Sequence, residues 1–459
     1  MGQRVFAEIR DINGSKNMKK RRSDQGSKQK KKTFVTALVA NQAGEIFDLK
    51  GYAAVGMAGP ILAPLMLKET IHMPFGSELM LMPDRRPILY NMEKSRLETL
   101  LENPYAPGEP IFPVAAFNSP GHLVTYVSAY KEDENTNFLP LFSYGAVGWF
   151  KGKFRTAVIR VDKERRQDLR LMKHEDVVEG IQKMRQTMPD NRLREHLEQC
   201  ALEYSCPAGK NFFLGRYEAP LPASPHCNAR CLGCLSLQEN DQIFPSQDRI
   251  AFQPSPKEVA EVAIEHIKRV KRSIVSFGQG CEGDPLLVAD LILPAIVKIR
   301  SKTSRGTINM NTNGSRPDVI DKLFDSGLDS IRISLNSVRQ AYYRAYFRPK
   351  GYGLSDVKKS IEVALEKGKF VAINYLNCPG FTDTPEEVGA LINFLNKYPI
   401  QMIQWRNLNF DPAKYVKIMY GVGRHGAPLG IKSLLDQIRY SFPDLKFGYF
   451  NPSKESFLQ

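Results

Sequence analysis

The sequence reads as an α/β protein, a partial (β/α)6 TIM-like barrel preceded by a smaller mainly-β domain and a helical linker. Three observations carry this reading. From about residue 211 onward, short β-branched runs alternate with segments of helical period, the rhythm of parallel strands joined by helical crossovers. From Phe34 to about Val161 the runs are short, rich in Val, Ile, Phe, Tyr and Thr, and broken by Gly, Pro and Asn. Between Asp168 and Ser205 apolar residues recur at i, i+3 and i+4 with charges opposite.

Taken in order, residues 1–33 are expected to form a disordered basic tail. The run from Ser15 to Lys32 holds nine Lys/Arg and one Asp, a net +8 of the chain's +15, with almost no apolar residue to pack. Such a run suits electrostatic contact with RNA or an anionic surface, but without a folded aromatic platform it is read as a solvated tail. Residues 34–165 are assigned to a mainly-β domain through runs such as FVTALVAN, PIFPVAAF and HLVTYVSAY. GYAAVGMAGP there has Gly-x4-Gly spacing but no following Lys-Ser/Thr, so it is not a phosphate loop. Residues 166–210 form the helical linker, with Cys200 and Cys206 taken as packing residues.

Residues 211–415 carry the alternating core. FFLGRYEAP is read as the first strand, followed by SIVSF, TINMNTNG, SIRISLNS, FVAINYLN and MIQWRNLNF. Helices lie between them, the first opened by Ser255 as N-cap, Pro256 in its first turn and Glu258 in a capping box. Six strands are too few to close an eight-stranded barrel. Residues 416–459 are expected as a helical and strand extension.

At 42% hydrophobic residues the chain can build ordinary cores. No apolar run of membrane-spanning length and no signal-peptide pattern is present, so a soluble cytoplasmic protein without membrane association is expected. Seven cysteines, three of them clustered, fit a reducing compartment and metal binding better than a disulfide framework.

That cluster is Cys227-Asn-Ala-Arg-Cys231-Leu-Gly-Cys234. Three thiolates can hold three corners of a cubic iron–sulfur cluster and leave the fourth iron open, and an open metal position is the mark of a catalytic site. In parallel α/β folds, ligands gather at the carboxyl ends of the strands. The stretch Gly278-Gln-Gly-Cys-Glu-Gly-Asp-Pro285 follows the second strand, and its glycines permit sharp turns and close approach to a ligand. The third strand ends in Thr312-Asn313-Gly314 and the fourth in Ser334-Leu335-Asn336-Ser337. On the sixth, alternation sets Gln404, Arg406 and Leu408 on one face, with Arg406 suited to clamp a carboxylate.

The triplet resembles the Cys-x3-Cys-x2-Cys signature of the radical S-adenosylmethionine enzymes, although Gly233 stands where that family usually has an aromatic residue. The resemblance covers roughly Tyr217 to Asp411. It implies a 4Fe–4S cluster on Cys227, Cys231 and Cys234, with S-adenosylmethionine on the open iron. It implies cofactor contacts from Gly278, Gly280, Glu282 or Asp284, Asn313, Ser334, Asn336 and Arg406. It implies reductive cleavage to a 5′-deoxyadenosyl radical that takes hydrogen from a substrate the sequence does not identify, with electrons from a ferredoxin or flavodoxin. Cys281 and Cys378, at strand ends, are candidates for a hydrogen-atom donor or a covalent intermediate. The competing readings are a non-catalytic iron–sulfur or zinc protein, with the metal structural or carrying electrons, and a binding protein built on a degenerate core.

Overall fold

The computed structural model describes residues 33–133, 135–165 and 168–457. The basic run from Ser15 to Lys32 lies outside the described residues. The chain folds as two compact units.

The first unit comprises residues 33–118, 124–137 and 144–158 and is antiparallel β. Its central strand, Thr36–Ala40, pairs with Ile46–Ala53, Phe112–Phe117 and Val147–Phe150. Successive side chains of a strand point to opposite faces, and both faces of this one are covered. Ala37 and Val39 pack with Leu49, Tyr52, Leu89 and Ile111. Leu38 and Ala40 pack with Val114, Ala116 and Val147.

The second unit holds residues 159–457 with two short pieces, 119–123 and 138–143. Its frame is a sheet of seven parallel strands in sequence order. They are β1 (Glu218–Pro220), β2 (Ile274–Phe277), β3 (Thr307–Thr312), β4 (Ser330–Leu335), β5 (Phe370–Asn377), β6 (Met402–Asn407) and β7 (Lys446–Gly448). This is the α/β partial barrel the sequence implies, with one strand more than the six read from the pattern. The extra strand comes from the C-terminal extension, where β7 pairs with β6 at Met402↔Lys446 to Gln404↔Gly448.

Among the described residues, eleven α-helices accompany the sheet. Before it come α1 (His174–Thr187), α2 (Arg192–Leu202) and α3 (Pro207–Phe213). The crossovers are α4 (Pro256–Arg269), α5 (Ala289–Lys302), α6 (Pro317–Asp325), α7 (Gln340–Phe347), α8 (Leu354–Glu366) and α9 (Pro385–Lys397). Then follow α10 (Pro412–Val422) and α11 (Ile431–Ser441). Phe212 and Phe213, read from sequence as the start of the first strand, close α3 instead; Pro207 opens that short helix, and β1 begins only at Glu218. The segment read as a linker is part of the barrel unit. Val177, Ile181 and Met184 of α1 and Leu193 and Leu197 of α2 share one buried apolar cluster with Val259, Ala263 and Ile267 of α4. The capping box of α4 is in place, with the Glu258 amide donating to Ser255 Oγ (3.2 Å) and the Ser255 amide to Glu258 Oε2 (2.6 Å).

In the barrel strands the apolar residues face outward to the helices and the polar ones inward. Ile308 and Met310 of β3 join the apolar cluster, while Asn309 and Asn311 of the same strand bond to each other and to groups on neighbouring strands. Burying such groups is tolerable only when they are paired or face a polar cavity.

Candidate functional site

The cysteine loop leaves the carboxyl end of β1, where the fold places ligands. Cys227, Cys231 and Cys234 are half-buried. The loop is fixed by backbone bonds to α7 and the residues after it: Arg230 N to Phe347 O (2.9 Å), Leu232 N to Tyr346 O (3.1 Å) and Lys350 N to Asn228 O (2.8 Å). The glycine that departs from the family pattern has a packing reason. A Cβ on Gly233 would stand 2.8 Å from the Asn409 carbonyl oxygen and 3.0 Å from Tyr346 Oη. An aromatic from α7 thus occupies the space that a side chain at 233 would need.

Three half-buried thiols on one loop are donors for a cubane, whose irons occupy separate corners, or for a single tetrahedral zinc. Burial first, then the charge of Asp284, pushes the Cys227 thiol up to about 11. Burial and the two neighbouring thiols raise Cys231 further. Metal must therefore displace protons to bind here. Arg249, not flagged by the sequence reading, donates from Nη2 to Cys234 Sγ (3.4 Å) and from Nε to Ser236 Oγ (3.2 Å). Hydrogen bonds to ligand sulfur are among the features that tune a cluster's potential.

The glycine-rich loop after β2 is stitched directly to the cysteine loop. Gly283 N donates to Ser224 O (2.6 Å) and Asp284 N to His226 O (2.8 Å). A Cβ on Gly283 would fall 1.8 Å from His226 O, and one on Gly278 1.7 Å from Asn311 O, where φ is also +78°. Both positions therefore require glycine. Gly280 is less constrained, since a Cβ would meet only the end of the Gln247 side chain at 2.7 Å.

Neither acidic residue of this loop has its carboxylate oxygens open. Glu282 Oε2 accepts from Ala223 N (2.8 Å) and Ser224 N (3.1 Å), while Oε1 accepts from Gly278 N (2.6 Å) and Gln279 N (2.9 Å). Burial pushes its carboxyl up to about 7 against the pull of those four amides. All four partners are donors, so the carboxylate is the form the site satisfies. Asp284 caps the turn at Pro285–Val288 by accepting from Leu286 N (3.0 Å). It also accepts from Thr312 Oγ1 (2.9 Å) and Asn313 N (2.7 Å), and burial raises its carboxyl to about 6.

Asn313 donates to Asn228 Oδ1 (2.7 Å) and so links β3 to the cysteine loop. Ser334 is half-buried, level with Asn374 of β5. Asn336 is fully buried at the foot of α7 and α10, donating to Tyr342 O (3.1 Å) and Tyr415 Oη (3.3 Å), with its Oδ1 unpartnered.

Inside the barrel lies a polar network. Arg332 Nη1 donates to Gln404 Oε1 (2.7 Å), Gln404 Nε2 to Asn451 Oδ1 (2.9 Å), and Asn451 Nδ2 to Glu218 Oε1 (2.7 Å). Arg406 Nε donates to Asn374 Oδ1 (3.2 Å), and its guanidinium lies 3.8 Å from the Tyr449 ring centroid. On the other face of β6, Trp405 packs edge-on against Tyr375 and Phe447, so the alternation read from the sequence is the one observed. Enclosure, then the nearby Arg406, lowers Arg332 to about 9, with Glu218 opposing. Its Nε is buried without a partner.

The two candidate cysteines are not brought together, since β2 and β5 are separated by two strands. Cys281 is buried, and the Cys200 thiol beside it, with burial, holds it protonated. Cys378 donates to the Pro379 carbonyl (3.8 Å), and burial raises its thiol strongly. Tyr343 and Tyr352, whose hydroxyls meet at 3.2 Å, are raised by burial first and also by the Cys231 and Asp284 charges nearby. The aromatic run AYYRAYF was the available signal for Tyr343.

Residues 221–395 match the sequence profile of the Radical SAM superfamily. No curated protein matches the chain. Among solved structures the chain is similar to HydG, described as a maturase of the FeFe-hydrogenase, at 17% identity over 62% of this chain and 66% of that one, TM-score 0.35. It is similar to methylornithine synthase PylB at 14% identity over 60% and 77%, TM-score 0.37. It is also similar to Streptococcus suis SuiB, solved with its precursor peptide SuiA, at 16% identity over 56% and 52%, TM-score 0.35. The match thus spans just under two thirds of the maturase.

Proposed function

We propose, for a chain whose residues 221–395 belong to the radical SAM superfamily, that it is an enzyme cleaving S-adenosylmethionine reductively to act on an anionic substrate. The observation that carries the reading is a three-cysteine loop at the carboxyl end of a parallel half-barrel, bonded through Ser224 and His226 to the glycine-rich loop beside it. When bound, a 4Fe–4S cluster and S-adenosylmethionine supply a 5′-deoxyadenosyl radical able to take hydrogen from an unactivated carbon.

The chain's own residues do the rest. Cys227, Cys231 and Cys234 would hold the cluster, and Arg249 places positive charge beside the Cys234 sulfur. Glu282 and the Gly283–His226 contact hold the two loops in fixed register, so the cofactor meets a preformed cradle. Arg332 and Arg406 set two cations in the barrel interior against the single carboxylate of Glu218 in their network. This excess, with the unpartnered Arg332 Nε, favours a carboxylate- or phosphate-bearing substrate. A low-potential ferredoxin or flavodoxin would supply the electron. Among the described residues no helix is long and apolar enough to cross a membrane.

Anaerobic reconstitution tests the proposal. About four irons per chain, with 5′-deoxyadenosine formed on adding S-adenosylmethionine and reductant and lost in Cys231→Ala, is the expected result. Zinc that is lost in Cys231→Ala, with no cleavage, would establish the structural-metal reading instead.

A further inference from the structure

We propose that His196, Cys200 and Cys281 form a second metal site, for one borderline-soft divalent ion of the Zn2+ kind, separate from the cysteine triplet. The inference does not depend on the function proposed above.

The three residues come from two elements. His196 and Cys200 lie four apart on α2 and so project from one face, a turn apart. Cys281 arrives from the glycine-rich loop after β2. His196 Nε2 and Cys200 Sγ are 3.6 Å apart. Bond lengths of ≈ 2.3 Å to sulfur and ≈ 2.0–2.1 Å to nitrogen put the S···N edge of a tetrahedral zinc site at about 3.6 Å. One ligand atom from each of the three residues lies within 4.8 Å of the other two. No edge would need to contract by more than about 1 Å to give the sulfur–sulfur spacing of such a site, about 3.8 Å.

The donor set is two thiols and an imidazole with no carboxylate, which selects zinc over magnesium or calcium. Cys200 and Cys281 are buried and His196 half-buried, so the fourth corner faces the imidazole side, where water can complete the tetrahedron. The His196 ring is set edge-on to Phe252, with centroids 6.5 Å apart, which fixes its plane. A bound ion would tie α2 to the loop residue directly before Glu282.

The test uses the full chain carrying Cys227→Ala, Cys231→Ala and Cys234→Ala, so that the triplet takes up no metal. Under reductant it is titrated with Co2+ and then Zn2+. About one ion per chain, with thiolate-to-cobalt charge-transfer absorption, is expected. Cys200→Ser or Cys281→Ser should abolish that absorption, and His196→Ala should weaken binding by about tenfold or more. Should either serine variant unfold by circular dichroism, alkylation of the unsubstituted background decides. Zinc should protect Cys200 and Cys281, mapped by mass spectrometry, and a chelator should remove the protection. Sub-stoichiometric metal uptake, cobalt absorption unchanged by all three substitutions, or a Cys200–Cys281 disulfide in protein isolated without reductant would overturn the proposal.

Discussion

Replacing Glu282 by glutamine should cost the barrel unit about 2–6 kcal/mol. The native carboxylate accepts four backbone N–H bonds, two on each oxygen. Glutamine matches it in size but replaces one oxygen with an amide nitrogen, which is a donor. Two buried N–H groups then face another donor, whichever way the amide is turned. A buried donor left unsatisfied costs about 1–3 kcal/mol, so two give roughly 2–6. The damage falls where Ala223 and Ser224 of the cysteine loop meet Gly278 and Gln279 of the glycine loop, so iron incorporation should fall as well. Equilibrium unfolding in urea, followed by far-UV circular dichroism, reads the first effect as a lower midpoint at unchanged slope. Iron content after anaerobic reconstitution reads the second. A loss below about 1 kcal/mol together with normal iron content would refute the claim that this carboxylate holds the two loops in register.

Other substitutions probe other parts of the site. Arg249→Gln should leave iron content intact and lower the midpoint potential by on the order of 50 mV in an EPR-monitored titration, since about 1.4 kcal/mol corresponds to about 59 mV for one electron. Gly283→Ala, whose Cβ would sit 1.8 Å from the His226 carbonyl oxygen, should abolish cluster retention, seen as loss of visible absorption. Arg332→Gln should weaken capture of an anionic substrate by about 1.5–3 kcal/mol, the range for a hydrogen bond to a charged group, while sparing S-adenosylmethionine cleavage in the absence of substrate; steady-state KM reads it. His266 supplies a pH test. Burial holds its imidazole at about 3 against an ordinary 6.5, with Nε2 3.3 Å from the Tyr217 carbonyl oxygen. The native state therefore binds fewer protons than the unfolded one between those limits, and stability falls as pH drops from 6.5 towards 3. His266→Gln should remove about 1.4 kcal/mol per pH unit of that slope, measured as the difference between the two unfolding free energies.

What the sequence shows plainly is what local chemistry writes plainly. Ser255, Pro256 and Glu258 announce the start of α4, and the alternation in QWRN assigns inner and outer faces correctly because strand period is a backbone property, whereas Leu408, past the strand's end, joins the apolar cluster. The strands β2 to β6 lie between strong helical segments, and each is recognisable. β7 is not, because three residues after a helix leave no period to read. Phe212–Phe213 misleads in the opposite direction, since a pair of aromatics looks like a strand until Pro207 is seen to start a helix. At the site, the cysteine triplet is legible because its spacing is local. Glu282 could be singled out but not understood, for nothing in its neighbours says that its oxygens will meet four amides. Arg249 and the meeting of Cys200 with Cys281 depend on contacts between segments remote in sequence, where pattern carries no information.

Asn451 joins the two ends of the barrel. It contacts Glu218 on the first strand and Gln404 on the sixth, and its carbonyl accepts from the Tyr217 hydroxyl. A ribosome making this chain delivers the cysteine loop well over two hundred residues before that asparagine emerges. Until then Glu218 and Arg332 lack a shared partner, and the wall between the first and last strands stays open to water. Closure of the barrel interior is thereby postponed until Asn451 has been made, and iron should be retained stably only by chains long enough to include it.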